Sequence, residues 1–258
     1  NFIPLGYRRM YRTDYGPKEI ARFRDEIRNR IVPLVGKVQE VQAQKLGIPK
    51  VMSWDGQVYD LEGTPKPKGD HDWLMEQGQV LFDRFCPEMG EFFKMMRSRG
   101  LLDLKMRKGK GMGGFCTYLH EPEAPFIFAN FNGTEADTIV FTHEIGHAFQ
   151  IWNSRHITPS DLCWPSMEAA EVHSMSLEYL TLPHMELFFK EDAERFRWEK
   201  MAGAINFFPG LAAMDHFQHL VYEKPNATAK EREQMFQDIE TLYHPSTDRG
   251  DLQPLFGG

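Results

Sequence analysis

Apolar positions recur at helical spacing over most of the chain and at strand spacing in one short region. Asp14 can cap, and Pro17 can open, a helix in which Ile20, Phe23, Ile27 and Ile31 make an apolar stripe. Pro33 falls inside that pattern and should kink or end it, and Gly47 closes the segment. The Gly- and Pro-rich stretch 48–69 reads as a loop. Helices follow at about 70–85 and 87–99, separated by Cys86-Pro87 and ended by Gly100. Gly113–Leu119 and Phe126–Phe131 are short aromatic and β-branched runs, turned by the segment from Glu121 to Pro125. They predict a small β-ribbon in which Gly113 and Gly114 allow close backbone approach. Thr134 and Asp137 resemble a capping box for a helix over about 135–152. Pro165 opens a helix expected over 165–182, interrupted by Pro183. Further helices are expected at about 191–206, 208–223 and 229–243, the last capped by Thr228 with Glu231. The fold class is mainly α, with one small ribbon beside a central helix.

Composition narrows the function classes. The 258 residues suffice for one substantial core or two small ones, and the formal net charge of −7 argues against nucleic acid, whose phosphates need basic clusters. The densest basic run, Lys105 to Lys110, is short and glycine-broken and reads as a loop. Cys86, Cys116 and Cys163 are far apart and odd in number, which fits a reducing compartment. No apolar run approaches the ~18 residues of a membrane span, so no membrane partner is expected. The chain opens at Asn1 without an initiator Met and stops at Leu255-Phe256-Gly257-Gly258. Both ends are expected to be cuts through a longer protein or a gene fragment. The whole of 1–258 is therefore expected to be one incomplete domain, its chemical core at about 111–182.

That core holds His143-Glu144-Ile145-Gly146-His147. Histidines four apart on a helix share one face and can bind one zinc ion, with the intervening glutamate beside the open coordination position. Apolar neighbours on both sides, Ile139 to Phe141 and Ala148 to Trp152, bury this helix, and buried imidazoles need partners that a metal supplies. The elongated zinc pattern fails, because Gln150 and Asn153 stand where it needs Gly and His. A carboxylate from a second helix is the other solution. Glu168, Glu171, Ser174 and Glu178 fall on one stripe there, with apolar flanks Met167, Ala170, Met175 and Leu177. One carboxylate should bind zinc and the others orient ligands; spacing alone does not choose between Glu168 and Glu171. Glu144 would act as general base on a zinc-activated water, which is hydrolase chemistry. Tyr118, His120, His173, Tyr243 and His244 are candidates for an oxyanion donor. His216 and His219, three apart, are read as a half-exposed helix face and not as a second metal site.

Phe141 to Gln150 resembles the active-site helix of oligoendopeptidase F-like peptidases in the thimet oligopeptidase family, and Glu168 to Glu178 resembles their third-ligand helix. The stretches Lys108–Tyr118, Asn130–Thr134 and Tyr222–Thr228 are similar to that subgroup too, so the likeness covers nearly the whole chain. The resemblance implies His143, His147 and Glu171 as ligands of one zinc, Glu144 as catalytic base, short peptides as substrates and a cytoplasmic location. Glu168, Ser174, Glu178, Gly113, Gly114 and Tyr118 would support ligands or substrate, with the strand edge near 113–118 pairing with peptide backbone. Family members are roughly twice as long, and their oxyanion Tyr and His lie beyond the last residue here. The resemblance thus also implies a weakly active or inactive zinc-binding fragment as the alternative. Apolar surface left for missing helices can drive self-association.

Overall fold

The computed structural model describes residues 2–251; Asn1 and residues 252–258, including the Leu255-Phe256-Gly257-Gly258 terminus, lie outside the described residues. In chain order the elements are α1 (Phe2–Arg9), α2 (Pro17–Glu26), α3 (Val32–Leu46), α4 (His71–Phe85), α5 (Pro87–Ser98), β1 (Leu102–Lys105), β2 (Phe115–Leu119), β3 (Ala124–Phe131), α6 (Glu135–Ser154), α7 (Val172–Leu180), α8 (Glu186–Phe189), α9 (Ala193–Glu223) and α10 (Ala229–Tyr243). The architecture is mainly helical, as the patterning predicts, and among the described residues the expected ribbon is part of a three-stranded sheet. No helix among the described residues is long and apolar enough to cross a membrane. Two compact units divide the chain: residues up to Thr64 with those from Trp198 onward, and Pro65–Arg197.

In the first unit, Gly16 and not Asp14 precedes α2, and the Glu19 carboxylate accepts the Gly16 N–H. A π-helical turn, Ile27–Ile31, joins α2 to α3 and absorbs the proline at position 33, which lacks the N–H that a continuous α-helix needs there. Gly47 ends α3 with φ 65°. Ile27 is buried, but Phe23 turns outward and Arg24 takes the inner face, donating to Asp215 at 2.5 Å. The two helices expected around residue 207 are one, α9, which runs through Pro209. Of the pair read as a half-exposed face, His216 is half-buried and His219 is buried: Tyr7 Oη contacts His219 Nε2 and Tyr243 Oη contacts His216 Nδ1, both at 3.3 Å. The capping box at α10 forms as expected, Thr228 and Glu231 exchanging side-chain and backbone bonds.

The second unit carries the larger core. Leu81, Phe82, Phe93, Met96, Phe141, Ile145, Phe188 and Phe189 are almost fully buried within it. Asp70 caps α4 by accepting the Trp73 N–H. The sheet has the order β1-β3-β2, with β1 parallel and β2 antiparallel to β3, so β2 stands at one edge. The expected ribbon is β2 with β3. β1 was not expected: Leu102-Asp103-Leu104-Lys105 is too short and too polar to signal a strand, and it forms by pairing along Ile127 and Phe128. Lys110 is a structural cation, its side chain only 1% exposed. It donates to the carbonyls of Asp103, Lys105 and Ala129 and lies 4.4 Å from the Phe128 ring centre. Asn130 donates to the carbonyls of Gly111 and Gly113, so the glycine-rich loop entering β2 is tied to β3.

Candidate metal centre

The helix α6 begins after Thr134, but the cap differs from the expected box. Asp137 accepts the N–H groups of Asn132 and Gly133, while Thr134 Oγ1 donates to Asn132 Oδ1. From there α6 is buried on most sides, through Phe141, Thr142, Glu144, Ile145, Gly146, His147, Ala148 and Ile151. One helical turn between His143 and His147 brings their Nε2 atoms to 3.2 Å.

The expected helix 165–182 is shorter than its spacing implied. It starts at Val172, and Glu171 stands just before it with φ −101° and ψ 2°. The carboxylate stripe therefore splits. Glu168 and Met167 lie exposed in the turns ahead of α7, while Ser174 and Glu178 are buried on it. Close packing delivers Glu171 to the histidines. A Cβ on Gly146 would lie 2.6 Å from Ser174 Cα and 2.9 Å from His173 O, so only glycine lets this segment approach α6.

Glu171 Oε2 lies 3.1 Å from His143 Nε2 and 3.2 Å from His147 Nε2, and these three residues are the metal-capable group among the described residues. Glu168 is not part of it. Each imidazole uses its other nitrogen elsewhere: His143 Nδ1 meets Glu178 Oε1 at 2.7 Å, and His147 Nδ1 meets His173 Nε2 at 3.0 Å. With protons on both Nδ1 atoms, two nitrogen lone pairs and a carboxylate oxygen converge with no donor among them. A cation resolves that repulsion. A four-coordinate cation bonded at 2.0–2.1 Å sets its donors about 3.3–3.4 Å apart, close to the triangle observed. The residues fit a metal.

Electrostatics agree. Burial lowers the His143 pKa, but the hydrogen bond and charge of Glu178, with Glu144 and Glu171, outweigh it and the net shift is upward. Burial and the neighbouring His143 hold His147 down. Burial raises Glu171, yet the Ser174 hydroxyl, 2.6 Å from Glu171 Oε2, and the histidines leave it lowered and ionised. Glu144 is raised by burial, and its Oε2 is buried with no hydrogen-bond partner. A buried carboxylate oxygen without a partner marks a candidate functional group.

The sheet borders this centre. A Cβ added to Gly114, on the approach to β2, would come into ordinary contact with Val140 of α6, and the charge of Glu144 adds to burial in pushing the Cys116 thiol up. Gly113 has φ 95°, a conformation glycine supplies; Gly114 has no steric need for glycine. Tyr118, at the far end of β2, stacks edge-on with His120. His173, read as a candidate oxyanion donor, is engaged behind His147 instead. That contact was missed because helical spacing from Glu171 does not encode it.

Comparison with known proteins gives a consistent picture. A family profile described as Peptidase family M3 matches residues 81–253. No curated protein matches the chain. Among solved structures, PZ peptidase A with an inhibitor is 46% identical with a TM-score of 0.89, covering 97% of this chain and 45% of its own. A protein assigned as oligoendopeptidase F from Bacillus anthracis str. Ames is 43% identical with a TM-score of 0.88, covering 95% of this chain and 45% of its own. The chain thus spans less than half the length of the relatives it matches.

Proposed function

Because this chain belongs to peptidase family M3, we propose that it is a zinc-dependent endopeptidase acting on short peptides, with His143, His147 and Glu171 holding one zinc and Glu144 as general base. The observation that carries this reading is the convergence of three lone pairs within 3.2 Å, next in sequence to Glu144, whose Oε2 has no partner.

Bound there, zinc supplies Lewis acidity, lowering the pKa of a coordinated water from 15.7 towards about 7 and polarising the scissile carbonyl. Glu144 accepts the proton of the attacking water at its free Oε2 and returns it to the leaving amine. Glu178 holds His143 by its Nδ1–H, and Ser174 holds the Glu171 carboxylate. An extended peptide adds to the edge of β2, which gives main-chain affinity with loose side-chain choice. Lys110 and Asn130 keep that edge in place.

Glu144→Gln should retain one equivalent of zinc while hydrolysis of quenched short peptides falls about 10²–10⁴-fold. Unchanged turnover in that variant would remove Glu144 from the mechanism. A second reading is a zinc-binding polypeptide with weak or no turnover. Stoichiometric zinc with no chelator-sensitive hydrolysis in any preparation would select it.

A further inference from the structure

We infer that His173 is a positioning residue of the metal centre: its imidazole accepts the Nδ1–H of His147 and so turns the Nε2 lone pair of His147 towards the cation. The inference rests on the zinc reading above. It goes beyond the ligand set by assigning the tautomer of the second ligand to a neutral side chain.

Three observations carry it. His147 Nε2 is the atom in the donor triangle, so its proton belongs on Nδ1, and the atom facing Nδ1 is His173 Nε2 at 3.0 Å. The two rings stand at 77° with centres 5.0 Å apart, a hydrogen-bonding approach and not a parallel stack. Finally, the backbone holding His173 is pressed against α6 at Gly146, where an added Cβ would meet His173 O at 2.9 Å. One short segment therefore delivers the third ligand through Glu171, its hydroxyl support through Ser174 and the support of the second ligand through His173.

The two ligating imidazoles are supported unequally. His143 donates to a buried carboxylate, Glu178, at 2.7 Å, whereas His147 donates to a neutral ring. A carboxylate raises ligand basicity, while a neutral acceptor fixes orientation and tautomer without adding charge. Two carboxylate supports would have placed a fourth acid around a centre that already holds Glu144, Glu171 and Glu178. The same contact engages His173 Nε2 with His147 Nδ1, on the ring nitrogen that does not face the triangle.

The test compares His173→Phe, which keeps a flat ring without an acceptor, with His173→Gln, which places an acceptor at similar reach. Zinc affinity of the full chain is measured by competition with a chromophoric chelator, with far-UV circular dichroism as the folding control. His173→Phe should weaken zinc about 10–100-fold, and His173→Gln should return to within about threefold of the native value. The visible bands of the cobalt-loaded chain should shift in His173→Phe and not in His173→Gln. Native affinity in a folded His173→Phe would overturn the proposal, as would a His173→Gln no better than His173→Phe. Failure of the unmodified chain to take up one zinc would instead sink the zinc reading itself, and is seen before any variant is made.

Discussion

The two sides of the metal centre are built differently. On α6 the histidines are fixed by helix geometry: two side chains one turn apart, on a helix buried on most sides. On the other side Glu171 sits outside α7, in the sparsely used φ/ψ bridge region, with a side chain 55% exposed. Local periodicity secures one half, and tertiary packing secures the other. Any change that spares α6 but disturbs its contact with residues 171–174 should therefore remove the carboxylate and leave the imidazole pair standing.

Gly146→Ala is the strongest way to break that asymmetry. The added methyl meets backbone atoms at 2.6 and 2.9 Å, and backbone gives way less readily than a flexible side chain. The segment should move off α6, at a cost of about 1–3 kcal/mol from overpacking. Zinc affinity should fall as far as in Glu171→Ala, since both variants are left with the two histidines. Chelator competition and thermal melts measure the two effects. Native affinity in Gly146→Ala would mean that packing does not set the third ligand.

Ser174→Ala sharpens the comparison with a smaller effect. The Ser174 hydroxyl donates to Glu171 Oε2 at 2.6 Å, and the site is too tight for a bulky substitute but not for the loss of one oxygen. Zinc affinity should fall about tenfold with the fold intact, because outer partners of ligands contribute at that scale. A change this size on the arm, with none from an equally small trim on α6 away from the histidines, would support the division of labour. Equal sensitivity on both sides would contradict it.

How much was legible in the sequence follows the same line. The His143–His147 pair and the helix that holds it could be read directly, because a four-residue step has one meaning on a helix. The ribbon, the α10 cap and the Cys86-Pro87 break were legible for the same local reason. Glu168 and Glu171 could not be separated by spacing, since both fit a helix that does not extend that far: residues 167–171 form turns ahead of Val172. The apolar flanks misled as well, Met167 being 72% exposed. β1 and the burial of Lys110 depend on β3, a partner distant in sequence (Lys110 reaches Ala129, 19 residues on), which no local pattern announces. Likewise Arg24 replaced Phe23 on the inner face because Asp215, distant in sequence, offers it a carboxylate.

The gentlest test concerns Glu144, on the rigid side, in metal-free protein. Its carboxylate is buried, one oxygen has no partner, and its pKa stands above the ordinary 4.5. The folded state therefore binds that proton more tightly than the unfolded chain does. The associated stabilisation is fully present below about pH 4.5 and is lost as pH rises through the raised folded value. Glu144→Gln carries no such charge, so its stability advantage over the native chain should grow from about pH 4.5 upward and then level off. At neutral pH the gain should be about 0.5–2 kcal/mol, the range typical of relieving a strained functional group. Paired thermal melts in EDTA at pH 4 and pH 7.5 measure it. A pH-independent difference would show that burial of Glu144 imposes no cost, and the case for a carboxylate held ready on α6 would lose its energetic support.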